Sequence, residues 1–256
     1  MQFCRFCRIV VLGVLLAPMA HAAVIVDYYL AGATSGSPPV TWAPTDAADG
    51  VEGLNLTRGP GINPAGLNNG FSANDWTEGA YQNSATAQAN GDYYQFGFTV
   101  EAGHSVSVGT FDTNLRRSAT NAPNRFELYA SLDNFATAGT LVTSFQYRGR
   151  SNGTAPDPLT PYQWMTTDTP GQDGGNPILT QDLSGASILQ NIAENTTVTF
   201  RLYAYSDLGT GATLTNTVAL GRFDGPKLQG TVEVIPEPGA VALLALGLPL
   251  IARRRR

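Results

Sequence analysis

Sugar binding is the first chemistry the residue types raise. The chain's three tryptophans, Trp42, Trp76 and Trp164, all fall in stretches with the Gly, Pro and Asn content of loops, with Tyr81 and Tyr162 close in sequence. Sugars dock their C–H faces on exposed aromatic rings, whose electron-rich faces are apolar yet carry partial negative charge. The plainer reading is that these rings cap the ends of a core, since Trp is usually largely buried. No sugar-specific spacing sets the three apart, so the plainer reading leads.

Acid–base chemistry has thinner support. Outside the first 22 residues the only histidine is His104, in Glu101-Ala102-Gly103-His104-Ser105, which reads as a turn entering a strand. A Ser-His-Asp triad would have to use it, and no Gly-x-Ser-x-Gly elbow or phosphate-binding glycine loop is present. A glycosidase needs two carboxylates flanking one bond. Glu52, Glu78, Glu101, Glu127, Glu194 and Glu233 are on offer, and Glu127, on the polar side of a strand, is the best placed. Exposed carboxylates on β-sheets ordinarily solubilise, so no catalytic residue is assigned and the chain reads as a non-enzyme. Asp168, Asp173 and Asn176 sit in a Gly/Pro-rich loop and offer oxygens to calcium. Their spacing fits no EF-hand loop, and a hard-cation site needs six or more oxygens. An acidic turn is the better reading, and no metal or other cofactor is assigned.

The elements that must position these residues follow a period of two. In 93–100, Tyr94, Phe96, Phe98 and Val100 share one face, with Tyr93, Gln95, Gly97 and Thr99 on the other. In 125–132 the inner set is Phe126, Leu128, Ala130 and Leu132, and in 196–206 it is Val198, Phe200, Leu202 and Ala204. Such alternation predicts half-buried strands. Further strands are expected at 24–30, 51–57, 105–112, 140–147, 217–223 and 228–234. In the last, Leu228, Val232 and Val234 face inward and Gly230 marks a bulge or close approach. One helix is expected, over 184–193, with Ser184 as cap and Ile188, Leu189 and Ile192 facing the core. The stretches 31–50, 58–92 and 149–177 read as long loops. Many short strands with turn-rich connections predict an antiparallel β-sandwich over residues 23–235.

Both ends of the chain carry address-like patterns. Arg5 and Arg8, an apolar run over 9–17, Pro18 and Ala20-His21-Ala22 make a secretory signal peptide of residues 1–22. Cys4 and Cys7, the only cysteines, lie inside it, so their Cys-x-x-Cys spacing is set aside as a redox or zinc motif. At the other end, Pro236, Glu237 and Pro238 precede an apolar stretch over 240–252 and then Arg253, Arg254, Arg255 and Arg256. At ~1.5 Å per residue that stretch reaches about 20 Å, short of a ~30 Å hydrocarbon core. It suits transient membrane association, with the arginines left on the cytoplasmic side. Without residues 1–22 and 239–256, nine basic residues face twenty acidic ones, and Lys227 is the only lysine. Nucleic-acid binding needs clustered positive charge, and the pairs Arg116-Arg117 and Arg148/Arg150 supply no patch.

Residues 236–256 resemble the PEP-CTERM sorting signal: the Pro-Glu-Pro motif, a short apolar helix and a terminal Arg cluster, paired with a signal peptide. That resemblance implies recognition by an exosortase, a membrane-embedded cysteine transpeptidase-like enzyme, after passage past signal peptidase. It further implies removal of the tail and delivery to the cell surface or an exopolysaccharide matrix. The middle of the chain is similar to the body of many PEP-CTERM surface proteins. The carriers are Tyr93-Tyr94-Gln95-Phe96-Gly97-Phe98-Thr99-Val100, Arg116-Arg117-Ser118, and Ser131-Leu132-Asp133-Asn134-Phe135 after Phe126-Glu127-Leu128-Tyr129. Thr199-Phe200-Arg201-Leu202-Tyr203 and Leu220-Gly221-Arg222-Phe223-Asp224 fit the same body. This likeness covers roughly 90–235 and implies a galactose-binding-like jelly roll. The expectation is an exported structural or adhesive protein of an exopolysaccharide-rich envelope. The alternatives are a carbohydrate-binding module using Trp42, Trp76 or Trp164, and a secreted glycoside-acting enzyme.

Overall fold

The computed structural model describes residues 23–76, 83–117, 122–146, 178–205, 218–220 and 223–235. The signal-peptide and sorting segments, Glu78, Trp164, and the group Asp168, Asp173 and Asn176 lie outside these residues. Among the described residues no helix is long and apolar enough to cross a membrane.

Among the described residues thirteen strands form in chain order. They are β1 (Ala23–Tyr29), β2 (Asp46–Ala47), β3 (Val51–Arg58), β4 (Asn63–Ala65), β5 (Phe71–Asn74), β6 (Tyr93–Val100), β7 (His104–Arg117), β8 (Arg125–Ser131), β9 (Thr140–Gln146), β10 (Ile178–Asp182), β11 (Thr197–Tyr205), β12 (Val218–Leu220) and β13 (Asp224–Val234). One sheet runs β2-β1-β13-β7-β12-β5-β4, with β10 also pairing β7; the other runs β3-β6-β11-β8-β9. The pairings are antiparallel, as in β11 with β6 and with β8. The fold is an antiparallel β-sandwich, as the alternation predicts.

The inner faces hold one hydrophobic cluster. At its centre Phe96 stacks on Phe200 of its own sheet at 5.5 Å and on Phe111 of the facing sheet at 5.6 Å. Each such ring, taken from water, contributes about 1.5–3 kcal/mol. Two buried tyrosines reach across the layers in opposite directions. The Tyr28 hydroxyl on β1 donates to the carbonyls of Leu54 and Gly97, and the Tyr94 hydroxyl on β6 donates to Val218 O at 2.6 Å. Burial raises the pKa of both phenols well above the ordinary range, because ionising them would strand a charge away from water.

Several expectations need correction. The helix over 184–193 is a single 3-10 turn, Ser187–Leu189. Asn191 adopts φ 53, and Ile192 exchanges backbone hydrogen bonds with Val106 at 2.8 and 3.0 Å, which takes the segment out of helical geometry. Leu189 and Ile192 still face the core. Ser184 does not cap a helix; its N–H and hydroxyl both donate to Asp182. A helix does form inside the stretch read as loop: α1 (Ser84–Asn90), capped by Asn83, whose side chain accepts from Thr86 N, and ended by Gly91 at φ 76. Its seven residues bury only Ala87, so no 3.6 period shows in the sequence. Strands β2, β4 and β5 also fall inside predicted loops. Leu132 and Val234, expected inside, are 46% and 74% exposed, because their alternation runs past the last residue with a facing layer. Gly230 is a close approach: a Cβ there would stand 2.0 Å from Ser107 O, beside a register shift between β13 and β7.

Candidate functional site

Where β6, β11 and β8 lie side by side, the faces turned away from the core carry an aromatic cluster. β11 is central. Its Arg201 lies opposite Gln95 on β6 and Tyr129 on β8, and its Tyr203 lies opposite Tyr93 and Glu127. Period two forces this arrangement, since Phe200, Leu202 and Ala204 occupy the inner positions. Tyr203 is packed edge-on between Tyr93, at 5.3 Å, and Tyr129, at 5.5 Å. It is 4% exposed, whereas Tyr93 and Tyr129 are half-buried. Arg201 Nε donates to Gln95 Oε1 at 2.8 Å, and Cζ lies 4.2 Å from the Tyr93 ring centre and 4.1 Å from that of Phe135.

Phe135 arrives on a tightly tied turn after β8. Ser131 Oγ accepts from Asp133 N at 3.1 Å and Phe135 N at 2.9 Å while donating to Asp133 Oδ1 at 2.6 Å. Asp133 Oδ2 accepts from Thr137 N and Thr137 Oγ1. Hydrogen bonds from Ser131 and then Thr137 hold the Asp133 carboxyl below its usual range. Asn134 and Phe135 both sit in the left-handed region, at φ 55 and 60; Phe tolerates it poorly. The turn holds the ring against Gly139, where a Cβ would stand 2.4 Å from the Phe135 ring. The Ser-Leu-Asp-Asn-Phe run therefore acts as a knot that lays Phe135 against Arg201.

The result is a cleft of about 280 Å³ lined by Tyr129, Tyr203, Arg201 and Phe135, walled by Gln88 of α1 and residues 136–139. That is close to the lower end of small-ligand sites, about 300–1,000 Å³. Beside it Glu127 accepts from the Tyr205 hydroxyl at 2.8 Å and the Tyr129 hydroxyl at 3.1 Å. Burial, and then the Glu127 hydrogen bond, push the Tyr205 phenol up to about 12. Burial raises Tyr203 as well, with Arg201 opposing.

No protein-family model matches the chain. No curated protein matches it either. Among solved structures it is similar to a family two carbohydrate esterase from Cellvibrio japonicus, at 8% identity and a TM-score of 0.24. The match spans 73% of this chain and 36% of that one. A TM-score this low does not establish a shared fold, and the cleft is read from its own geometry.

The sequence-predicted site residues fall elsewhere. Trp76 is fully buried; its Nε1 donates to Ala73 O at 2.9 Å and its ring packs 5.4 Å from Tyr94. It is a core residue, as the plainer reading has it, and its buried ring is closed to a sugar. Trp42 is half-buried against the core, with Nε1 donating to Tyr29 O at 3.1 Å, and does not line the cleft. His104 lies against Gly50, with Nδ1 3.1 Å from Ala102 O. Glu194 accepts from Gly103 N at 2.5 Å. Glu52 and Glu233 are exposed strand residues and Glu101 is an exposed turn residue. Glu127, whose oxygens both accept tyrosine hydroxyls, is the carboxylate next to the cleft. Among the described residues no three His, Cys, Asp or Glu side chains converge as metal ligands.

Sequence reasoning weighed the loop tryptophans as candidate ring platforms and did not single out the strand tyrosines that line or adjoin the cleft. A signal was present. Tyr93, Tyr129, Tyr203 and Tyr205 occupy outward positions of strands whose inner faces were already assigned, and large aromatics on a solvent face mark recognition surfaces.

Proposed function

We propose that this protein is exported and held in an exopolysaccharide-rich envelope as a structural or adhesive component, using the β6-β11-β8 cleft as a carbohydrate-binding site. The carrying observation is the aromatic floor: half-buried Tyr129, backed by the buried Tyr203, with Arg201 laid between Tyr93 and Phe135. A rigid ring floor with a few fixed donors suits a sugar, which offers C–H patches and hydroxyls together. Consecutive strands cross repeatedly between the two sheets, as β5 to β6, β6 to β7 and β7 to β8 do, and this winding supports the jelly-roll reading. Export rests on the residue patterns of 1–22 and 236–256, with signal peptidase and an exosortase as processing partners and transient membrane association through the tail.

Binding is tested by retention of the full chain on immobilised polysaccharides. Tyr129→Ala should weaken retention by about twofold to tenfold, the range expected for loss of one aromatic contact. Trp42→Ala, outside the cleft, should leave retention unchanged. Failure of the unmutated chain to bind any polysaccharide sinks the reading. Mass spectrometry of the extracellular form tests the sorting step: a C-terminus near the Pro236-Glu237-Pro238 motif is expected, and one still carrying Arg256 contradicts it.

A further inference from the structure

Resting on that reading, we infer that the cleft is built for an acidic sugar, whose carboxylate or sulfate is received by Arg201. The guanidinium is fixed before any ligand arrives. Tyr93 comes from β6 and Phe135 from the turn after β8, on opposite sides of β11, and both rings lie against Cζ at 4.2 and 4.1 Å. Gln95 takes Nε at 2.8 Å. Stacking occupies the faces of the group, so the edge bearing the remaining N–H donors is what the cleft can use.

That edge has the geometry of an anion receptor. A planar fork meets carboxylate or sulfate oxygens in pairs, which an ammonium cannot do. The carboxylate beside it, Glu127, is engaged by the Tyr205 and Tyr129 hydroxyls. Arg201 has no ion pair among the described residues; Lys227, by contrast, is paired with Asp27 at 3.0 Å. A half-buried cation lacking a counter-ion gains most when a ligand supplies one. Half-buried Tyr129 beside it offers a ring contact that a bare anion would not need. Together the groups select an acidic sugar over a neutral sugar and over a simple anion.

The test compares the full chain's affinity for oligogalacturonate, sulfated dextran and neutral dextran. At least one acidic glycan should bind about tenfold or more tightly than the neutral one, as a charge-assisted pair implies, and the better of the two separates carboxylate from sulfate. Arg201→Gln should bring the acidic-to-neutral ratio to within about twofold. Equal affinity for neutral and acidic glycans in the unmutated chain overturns this inference and leaves sugar binding standing; binding of no glycan overturns both. Binding of polyglutamate as tight as that of the acidic glycans also overturns it, in favour of an acidic-peptide site. Should Arg201→Gln fail to fold, competition on the unmutated chain decides. Free galacturonate should displace bound oligomer at concentrations where galactose does not, and equal displacement by the two sugars refutes the inference.

Discussion

Raising the pH above 10 should unfold this protein steeply, and two residues should set the slope. Tyr28 and Tyr94 are buried, neutral and hydrogen-bonded across the sandwich. In the unfolded chain each phenol ionises near its ordinary value of about 10. In the folded chain burial raises both pKa values far beyond that. A raised folded pKa gives stability that is complete below pH 10 and is lost as pH rises, because only the unfolded state sheds the proton. One unit above pH 10 each phenol removes about 1.4 kcal/mol, so the pair removes about 2.8 kcal/mol. Set against a usual total of about 5–15 kcal/mol, that is a large share. The assay is the urea midpoint between pH 8 and pH 11, followed with phenolate absorbance. Tyr94→Phe should lower stability at pH 8 by about 1–2 kcal/mol, since it deletes a buried hydrogen bond to Val218 O. It should also remove a clear part of the alkaline slope, to which Tyr28 and the raised phenols of Tyr205 and Tyr203 supply the rest. Phenolate absorbance from all ten tyrosines near pH 10, with the fold intact, would refute the reasoning. So would an unchanged slope in both Tyr28→Phe and Tyr94→Phe.

Other substitutions have equally specific outcomes. Gly97→Ala places a Cβ 2.1 Å from Val198 O across the β6-β11 ladder, so the strands must separate; insoluble expression or a loss of more than about 3 kcal/mol in urea unfolding is expected. Trp76→Ala empties a wholly buried site beside Tyr94. It should cost about 3–5 kcal/mol by the same assay, whereas Trp42→Ala should cost clearly less.

The architecture was legible because period two is unambiguous wherever a strand is half-buried. β6, β8 and β11 were placed within a residue or two, with inner faces assigned correctly from Tyr94, Phe126 and Phe200 outward except at Leu132. What escaped were elements too short to show a period: β4 contains Pro64 and only three residues, and α1 buries a single alanine. The site was half legible. Burial of a tryptophan is a tertiary fact, so nothing local separated Trp76 from a solvent-facing ring. Nothing local marks Arg201, because the partners that define it, Gln95 and Phe135, are far away in sequence. The Ser131-Leu132-Asp133-Asn134-Phe135 run was noticed as a recurring string, but its role needs the left-handed backbone at Phe135, which the sequence does not advertise.

Strand β11 has a consequence for how this protein can change over time. Residues 197–205 alternate between one set that builds the interior and another that faces away from it and carries Arg201 and Tyr203 of the cleft, with no spare position between them. Gain or loss of one residue inside that stretch would push Arg201 inward and Phe200 outward together. Length variation among descendants of this chain is therefore disfavoured within β11, and change in the cleft must come by exchanging side chains at 201 and 203 or by reshaping the 132–139 turn.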